Sequence, residues 1–270
     1  MVRLILLILV IGGVFSTVKS QSQVQKSSNM QFGVTDGQLI NQMLISLPNI
    51  SGNTRDLLDH QSVKANMMPV RDAGGTSSTL SYLLAGCLEY YYNLGENYKV
   101  NLSPDFIMLH LNGESKTLAF KDAFSFLGDN GTVSAAILPY GSTQLTQGVN
   151  ATQHYKIRNY LHIFHSTTRG RQKSFEVRKA LMRGHPVLIE LMANEKIYEY
   201  TSGQKYLDLD KKGNQYYTLA VVSFDETREA FEVMSCWGRN WGNNGYIWIS
   251  YDDFEAFAQN GYVMVPDVDF

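Results

Sequence analysis

Glu232-Val-Met-Ser-Cys-Trp-Gly-Arg-Asn-Trp-Gly-Asn-Asn-Gly-Tyr-Ile-Trp-Ile-Ser250 decides how this chain is read. Its Gly/Asn cluster predicts a tight turn with positive-φ positions, and the apolar–polar alternation from Tyr246 to Ser250 predicts a strand after it. The spacing Trp-Gly-x-x-Trp-Gly-x-x-Gly-Tyr is too particular for a generic hairpin.

Around that stretch the chain is an ordinary globule. It has 270 residues, 44% hydrophobic and 18% charged, with a formal net charge of −2. That length supports one large domain or a two-lobed one, and the balance of charge argues against nucleic acid or an anionic membrane surface as partner. The 16 Tyr and 13 Phe favour β-structure and aromatic-lined surfaces. Leu4 to Ile11 is an apolar run after Arg3, ending in small residues at Val18-Lys19-Ser20. It reads as a secretory signal peptide over residues 1–20, which predicts an exported protein, extracellular or lumenal, or periplasmic or surface-held in a bacterium. No membrane contact is expected once that segment is removed.

Cys87 and Cys236 are the two cysteines. A core of this size needs no disulfide, so two buried thiols are expected, with one bridge as the alternative. Asn49, Asn101, Asn130 and Asn150 each open an Asn-x-Ser/Thr triplet and are glycosylation candidates in a eukaryotic secretory pathway. The six His form no compact ligand set, and the loop glycines open no phosphate-binding strand–helix unit, so no metal and no cofactor are expected.

In chain order, residues 21–56 read as a polar, exposed lead-in with one short amphipathic helix near Leu39 to Leu47. A Gly/Thr/Ser loop then runs into a buried helix from Thr79, with Thr76, Ser77 and Ser78 as candidate N-caps. Further helices are predicted after Leu102-Ser-Pro, over Lys121 to Leu127 and over Ser174 to Arg183. Strands are predicted at Val187–Met192, Tyr216–Phe224, Ala230–Ser235 and Gly245–Tyr251. A helical half of about 66–140 followed by a strand-rich half of about 141–270 predicts an α+β fold in two lobes over residues 57–270.

Six landmarks fall in the order seen in papain-like cysteine peptidases. They are Pro69-Val-Arg-Asp-x-Gly, Ala123-Phe-Ser-Phe-Leu with Asp129-Asn-Gly and Pro139-Tyr, and Gly184-x-Pro-Val. Tyr200-x-Ser-Gly, Leu219-Ala-Val-Val-Ser-Phe-Asp and the opening stretch complete the set. The chain resembles that family over roughly residues 57–265. The resemblance implies a helical lobe with a long central helix, a β-barrel-like lobe and a substrate groove between them.

It also implies where chemistry should sit. Such peptidases need a Cys at a helix N-terminus beside a His that keeps it a thiolate, an Asn orienting that His, and a Gln stabilising the oxyanion. In this sequence the Gln position holds Ala73, the nucleophile position Thr79, the His position Tyr217 and the Asn position Ser235. Tyr217 and Ser235 lie 138 and 156 residues after Thr79, which fits the family's spacing. All four groups have changed type. Ser235-Cys236-Trp237 imitates a nucleophile signature, but it ends a strand and no His follows it.

Three functions are therefore open. The leading expectation is an exported, proteolytically inactive homologue whose groove, lined by Gly74, Gly75, Thr79, Tyr217, Ser235 and Trp237, binds a peptide or protein. The second is a hydrolase or acyl transferase using Thr79, although a Tyr is a poor base for a hydroxyl. The third is a structural extracellular component.

Overall fold

The computed structural model describes residues 31–48, 54–74, 78–111, 119–201, 203–204, 206–209, 213–268 and 270. Residues 1–20, Asn49, Gly75, Thr76 and Ser77 lie outside them. Phe32 to Phe270 fold as one unit. No helix among the described residues is long and apolar enough to cross a membrane.

The helices are α1 (Gly37–Met43), α2 (Thr54–Asp59), α3 (Thr79–Tyr92), α4 (Pro104–Leu111), α5 (Phe120–Asp129), α6 (Gly170–Met182) and α7 (Tyr251–Phe257). The strands are β1 (His60–Ser62), β2 (Ile157–Phe164), β3 (Val187–Ala193), β4 (Gln215–Asp225), β5 (Ala230–Met234), β6 (Tyr246–Ser250) and β7 (Ala258–Pro266). They form one antiparallel sheet in the order β2-β7-β3-β4-β5-β6, with β1 on β4. The fold is α+β as expected. The β-barrel-like lobe is corrected to an open sheet, because β2 and β6 end the pairing path without meeting.

Helix α3 is the central buried element. Leu83, Leu84, Ala85, Cys87 and Leu88 are at most 1% exposed, and each buried Leu contributes roughly 1.5–3 kcal/mol. The helix packs on β4 and β7 and carries one carboxylate inward, Glu89. Arg71 Nη1 donates to Glu89 Oε2 at 2.8 Å, and the Leu102 N–H donates to Oε1 at 2.5 Å. Burial raises the Glu89 pKa, and the Arg71 guanidinium opposes that shift. This ion pair fastens the loop before α3 to the helix's last turns.

Two stacked aromatic pairs tie α5 to the sheet: Phe124 on Tyr160 at 4.3 Å and Phe120 on Tyr262 at 4.6 Å.

The described part of the lead-in, residues 31–48, is mostly exposed, but a few of its side chains anchor it to the body of the fold. Val34 pairs with the edge strand at Leu161, and Asp36 caps α1 by accepting from the Gln38 and Leu39 N–H groups. Ile40, Leu44 and Leu47 are buried. Arg183 Nη1 donates to the Leu44 carbonyl, and His185 Nε2 faces the Ile45 carbonyl at 2.7 Å. The amphipathic stripe read from the sequence is therefore a docking face, held to residues that come far later in the chain.

Candidate functional site

The turn after β5 is held against the loop before α3 by two main-chain hydrogen bonds, which together make the Asp72–Trp237 bridge, and against the helix start by one side-chain contact. The Ala73 N–H donates to the Cys236 carbonyl at 2.8 Å, Gly238 N–H donates to the Arg71 carbonyl, and Asp72 bridges Trp237. The Cys236 thiol donates to the Thr79 carbonyl at 3.4 Å. Glycine makes the approach possible. Gly245 has φ 91°, and a Cβ there would lie 2.5 Å from a Val70 methyl. The opening stretch thus folds against Pro69-Val70-Arg71, and the two sequence landmarks prove to be one structural unit.

Thr79 is the first residue of α3 and is 6% exposed. Ser78 stands at the N-cap, but its hydroxyl donates to the Ala73 carbonyl at 2.6 Å and caps no helix N–H. The expectation of side-chain capping is thereby corrected for Ser78: the loop before the helix turns back close enough to take its hydroxyl. Gly74, with φ 67°, donates its N–H to Asp72 Oδ1.

Ser235 is 1% exposed. Its N–H and its hydroxyl both donate to the Gly245 carbonyl, at 2.9 and 3.3 Å, and its Oγ accepts from the Trp237 N–H. This hydroxyl serves its own turn.

Tyr217 stands opposite Leu191 in the β3–β4 ladder, and its hydroxyl donates to Gln215 Oε1 at 3.0 Å. Burial and then the nearby Glu195 raise its pKa above the usual 10. It is a protonated phenol at neutral pH.

Trp237 joins these pieces through its ring. It meets Tyr198 at 4.8 Å, Trp241 at 5.0 Å and Tyr217 at 6.1 Å, all edge-to-face. Trp241 is anchored in turn by its indole N–H on the Ile197 carbonyl. Through Cys236 and the Trp237 ring, the turn after β5 therefore touches both the start of α3 at Thr79 and strand β4 at Tyr217.

Tyr198 was missed from sequence. It is 38% exposed and covers both Tyr217 and Trp237, and burial lifts its pKa to about 12. Neighbouring Tyr200-x-Ser-Gly was the only local hint.

Cys236 is 3% exposed, and burial raises its pKa to about 12. Cys87 lies two turns deeper in α3; the two thiols are both free. Eight helical residues from Thr79 to Cys87 span about 12 Å, too far for a bridge to a sulfur held at the helix start. Among the described residues, no three His, Cys, Asp or Glu side chains cluster as a metal set.

Residues 55–264 match the family description "Papain family cysteine protease". The chain belongs to the papain family. Among curated relatives, mouse cathepsin K is 23% identical over 226 residues, 81% of this chain and 67% of that protein. "Peptidase 1" of Dermatophagoides farinae is 23% identical over 207 residues, 73% of this chain and 61% of that protein. A shorter match reaches 29% over 85 residues of "Gamete and mating-type specific protein A" of Dictyostelium discoideum, 31% of this chain and 19% of that protein. The chain thus spans from about a fifth to two thirds of these relatives.

Solved papain-family structures share the fold. Xylellain, a cysteine protease from Xylella fastidiosa, superposes with a TM-score of 0.61 at 17% identity, over 87% of this chain and 95% of its own. Digestive procathepsin L 3 of Tenebrio molitor gives 0.64 at 18% identity, over 84% and 78%.

Proposed function

We propose that this chain is an exported papain-family protein that no longer cleaves peptide bonds and uses its scaffold to bind a peptide or protein segment. The observation that carries this reading is the engagement of Ser235 and Tyr217. A residue that orients a base must offer its side chain to that base, and Ser235 spends its hydroxyl on Gly245 and Trp237. A base must be able to take a proton, and Tyr217 is already protonated with its pKa raised. Thr79, the hydroxyl at the helix start, thus gains no proton acceptor from either. With Ala73 at the position of the family's glutamine, that side-chain donor for an oxyanion is gone. Losing a catalytic constellation of this kind costs on the order of a million-fold in kcat.

What remains is a binding surface. Tyr198 and Trp237 supply large apolar faces with polar edges, a combination suited to peptide recognition. Fold alone does not assign activity, so chemistry must be tested directly. The mature protein, secreted from a eukaryotic host, is incubated with a fluorogenic peptide library and with acylating and thiol-directed probes. We expect no turnover and no label on Thr79 or Cys236, while binding of peptides quenches tryptophan emission and weakens in Tyr198→Ala. Turnover that Thr79→Ala or Cys236→Ala abolishes would overturn the inactive reading, and an unchanged spectrum with every peptide would overturn the binding one.

A further inference from the structure

Asn130 and Asn150, both exposed, come from separate stretches of chain and face one basin of about 460 Å3. That volume lies within the range of small-ligand sites. Asn130 ends α5, and Asn150 sits in a short 3-10 turn over Val149–Ala151. Between them stand Asp129, His110, His154 and Lys156.

The chemistry of the basin selects its ligand. His110 gives its Nδ1 proton to the Phe106 carbonyl at 2.8 Å, which leaves Nε2 as an acceptor. His154 does the same toward the Asn130 carbonyl at 2.5 Å, and its Nε2 is buried without a hydrogen-bond partner. Lys156 is occupied on the Asp129 carbonyl, so the basin offers no uncommitted ammonium to hold an anion, and Asp129 adds a carboxylate. Apolar ligands find little, because Phe106 is 1% exposed. Acceptors and amides facing one another suit a partner rich in hydroxyl donors.

We propose that this basin is a carbohydrate-binding surface, and that its occupant is the proximal sugars of an N-linked glycan on Asn150. Asn130 ends α5 and its main-chain carbonyl accepts from His154, whereas Asn150 lines the same basin from a separate turn, so that a sugar on it starts at the basin's edge. Asn101 provides an internal comparison. It too is exposed, but its Oδ1 accepts from Arg71 Nη2 at 2.9 Å and it lies outside the basin. The inference rests on the export reading above and deepens it.

The full chain is secreted from insect cells, its sequons are mapped by mass spectrometry, and glycans are removed from the folded protein with an endoglycosidase. Asn150 is expected to be occupied and to release its glycan about tenfold more slowly than Asn101, the factor that about 1.4 kcal/mol of docking supplies. Asp129→Ala with His110→Ala, both exposed positions, closes the gap, as does denaturation. Asn150 bare beside an occupied Asn101, or equal release rates in the folded protein, overturns the proposal alone. A secreted chain with no glycan at any sequon overturns the proposal alone, and a chain that the cells retain without any glycan overturns both it and the export reading.

Discussion

The Cys236 thiol donates to the main-chain carbonyl of Thr79 across 3.4 Å. Through that contact the turn after β5 is clipped to the first turn of the central helix, and Cys236 is held 3% exposed.

Cys236 is therefore expected to be inert while the protein is folded. With its pKa pushed up to about 12, the thiolate fraction at pH 7 is about one part in a hundred thousand. Iodoacetamide at pH 7 should label neither cysteine in the native protein and both in denaturant, read by intact mass. Labelling of Cys236 in the native protein would contradict its buried placement.

Restoring a thiol alone should not restore reactivity. In Thr79→Cys the new sulfur sits at a helix N-terminus but still faces a chain whose Tyr217 is a protonated phenol. Adding Tyr217→His and Ser235→Asn supplies the base and its orienting amide. The pH dependence of alkylation is expected to shift to lower pH, with at least about tenfold faster labelling at pH 6 in the triple variant than in Thr79→Cys.

Arg71 and Glu89 form the pair with the most to lose. Glu89 is fully buried and Arg71 is 18% exposed at its side chain. Arg71→Met strands a carboxylate in the interior and is expected to cost about 3–5 kcal/mol in urea unfolding. The double variant with Glu89→Gln should recover part of that, because no charge is then left unpaired.

Stability should fall on acidification through the histidines. Burial lowers the His185 pKa to about 4, while its unfolded value is near 6.5. Above pH 6.5 both states are neutral there and the contribution is complete. Between pH 6.5 and 4 the unfolded chain binds the extra proton, so stability declines, and below 4 the loss levels off at about 3 kcal/mol. His162 is shifted down in the same direction, first by burial and then by His165, and adds to the same window. Urea midpoints at pH 7, 5.5 and 4 measure the decline, and His185→Gln should flatten part of it.

Much of the fold was legible because its signals are local. The α3 helix, α6, and strands β3 to β6 follow from hydrophobic period and from glycines that the turn at Gly242–Gly245 requires. Strands β2 and β7 were not found. β2 carries Arg158, Asn159 and His162 within its alternation, and bulges near Asn159 and Phe164 break the two-residue period. In β7, Gly261 exists because a Cβ there would lie 2.1 Å from the Phe164 ring, a requirement set by a residue 97 positions away. Tyr198 was silent for the same kind of reason, since Trp237 and Tyr217 give it meaning only in three dimensions.

The docked lead-in has a consequence for how the molecule is made. Val34, Leu44, Ile45 and Leu47 are fastened to Leu161, Arg183 and His185, contacts that span well over a hundred residues. Synthesis delivers this segment well over a hundred residues before its seat. Its apolar stripe must therefore remain uncovered until β2 and the start of β3 have left the ribosome. A segment made so long before its seat is exposed in the meantime, and during that wait its apolar stripe is a natural handle for a chaperone.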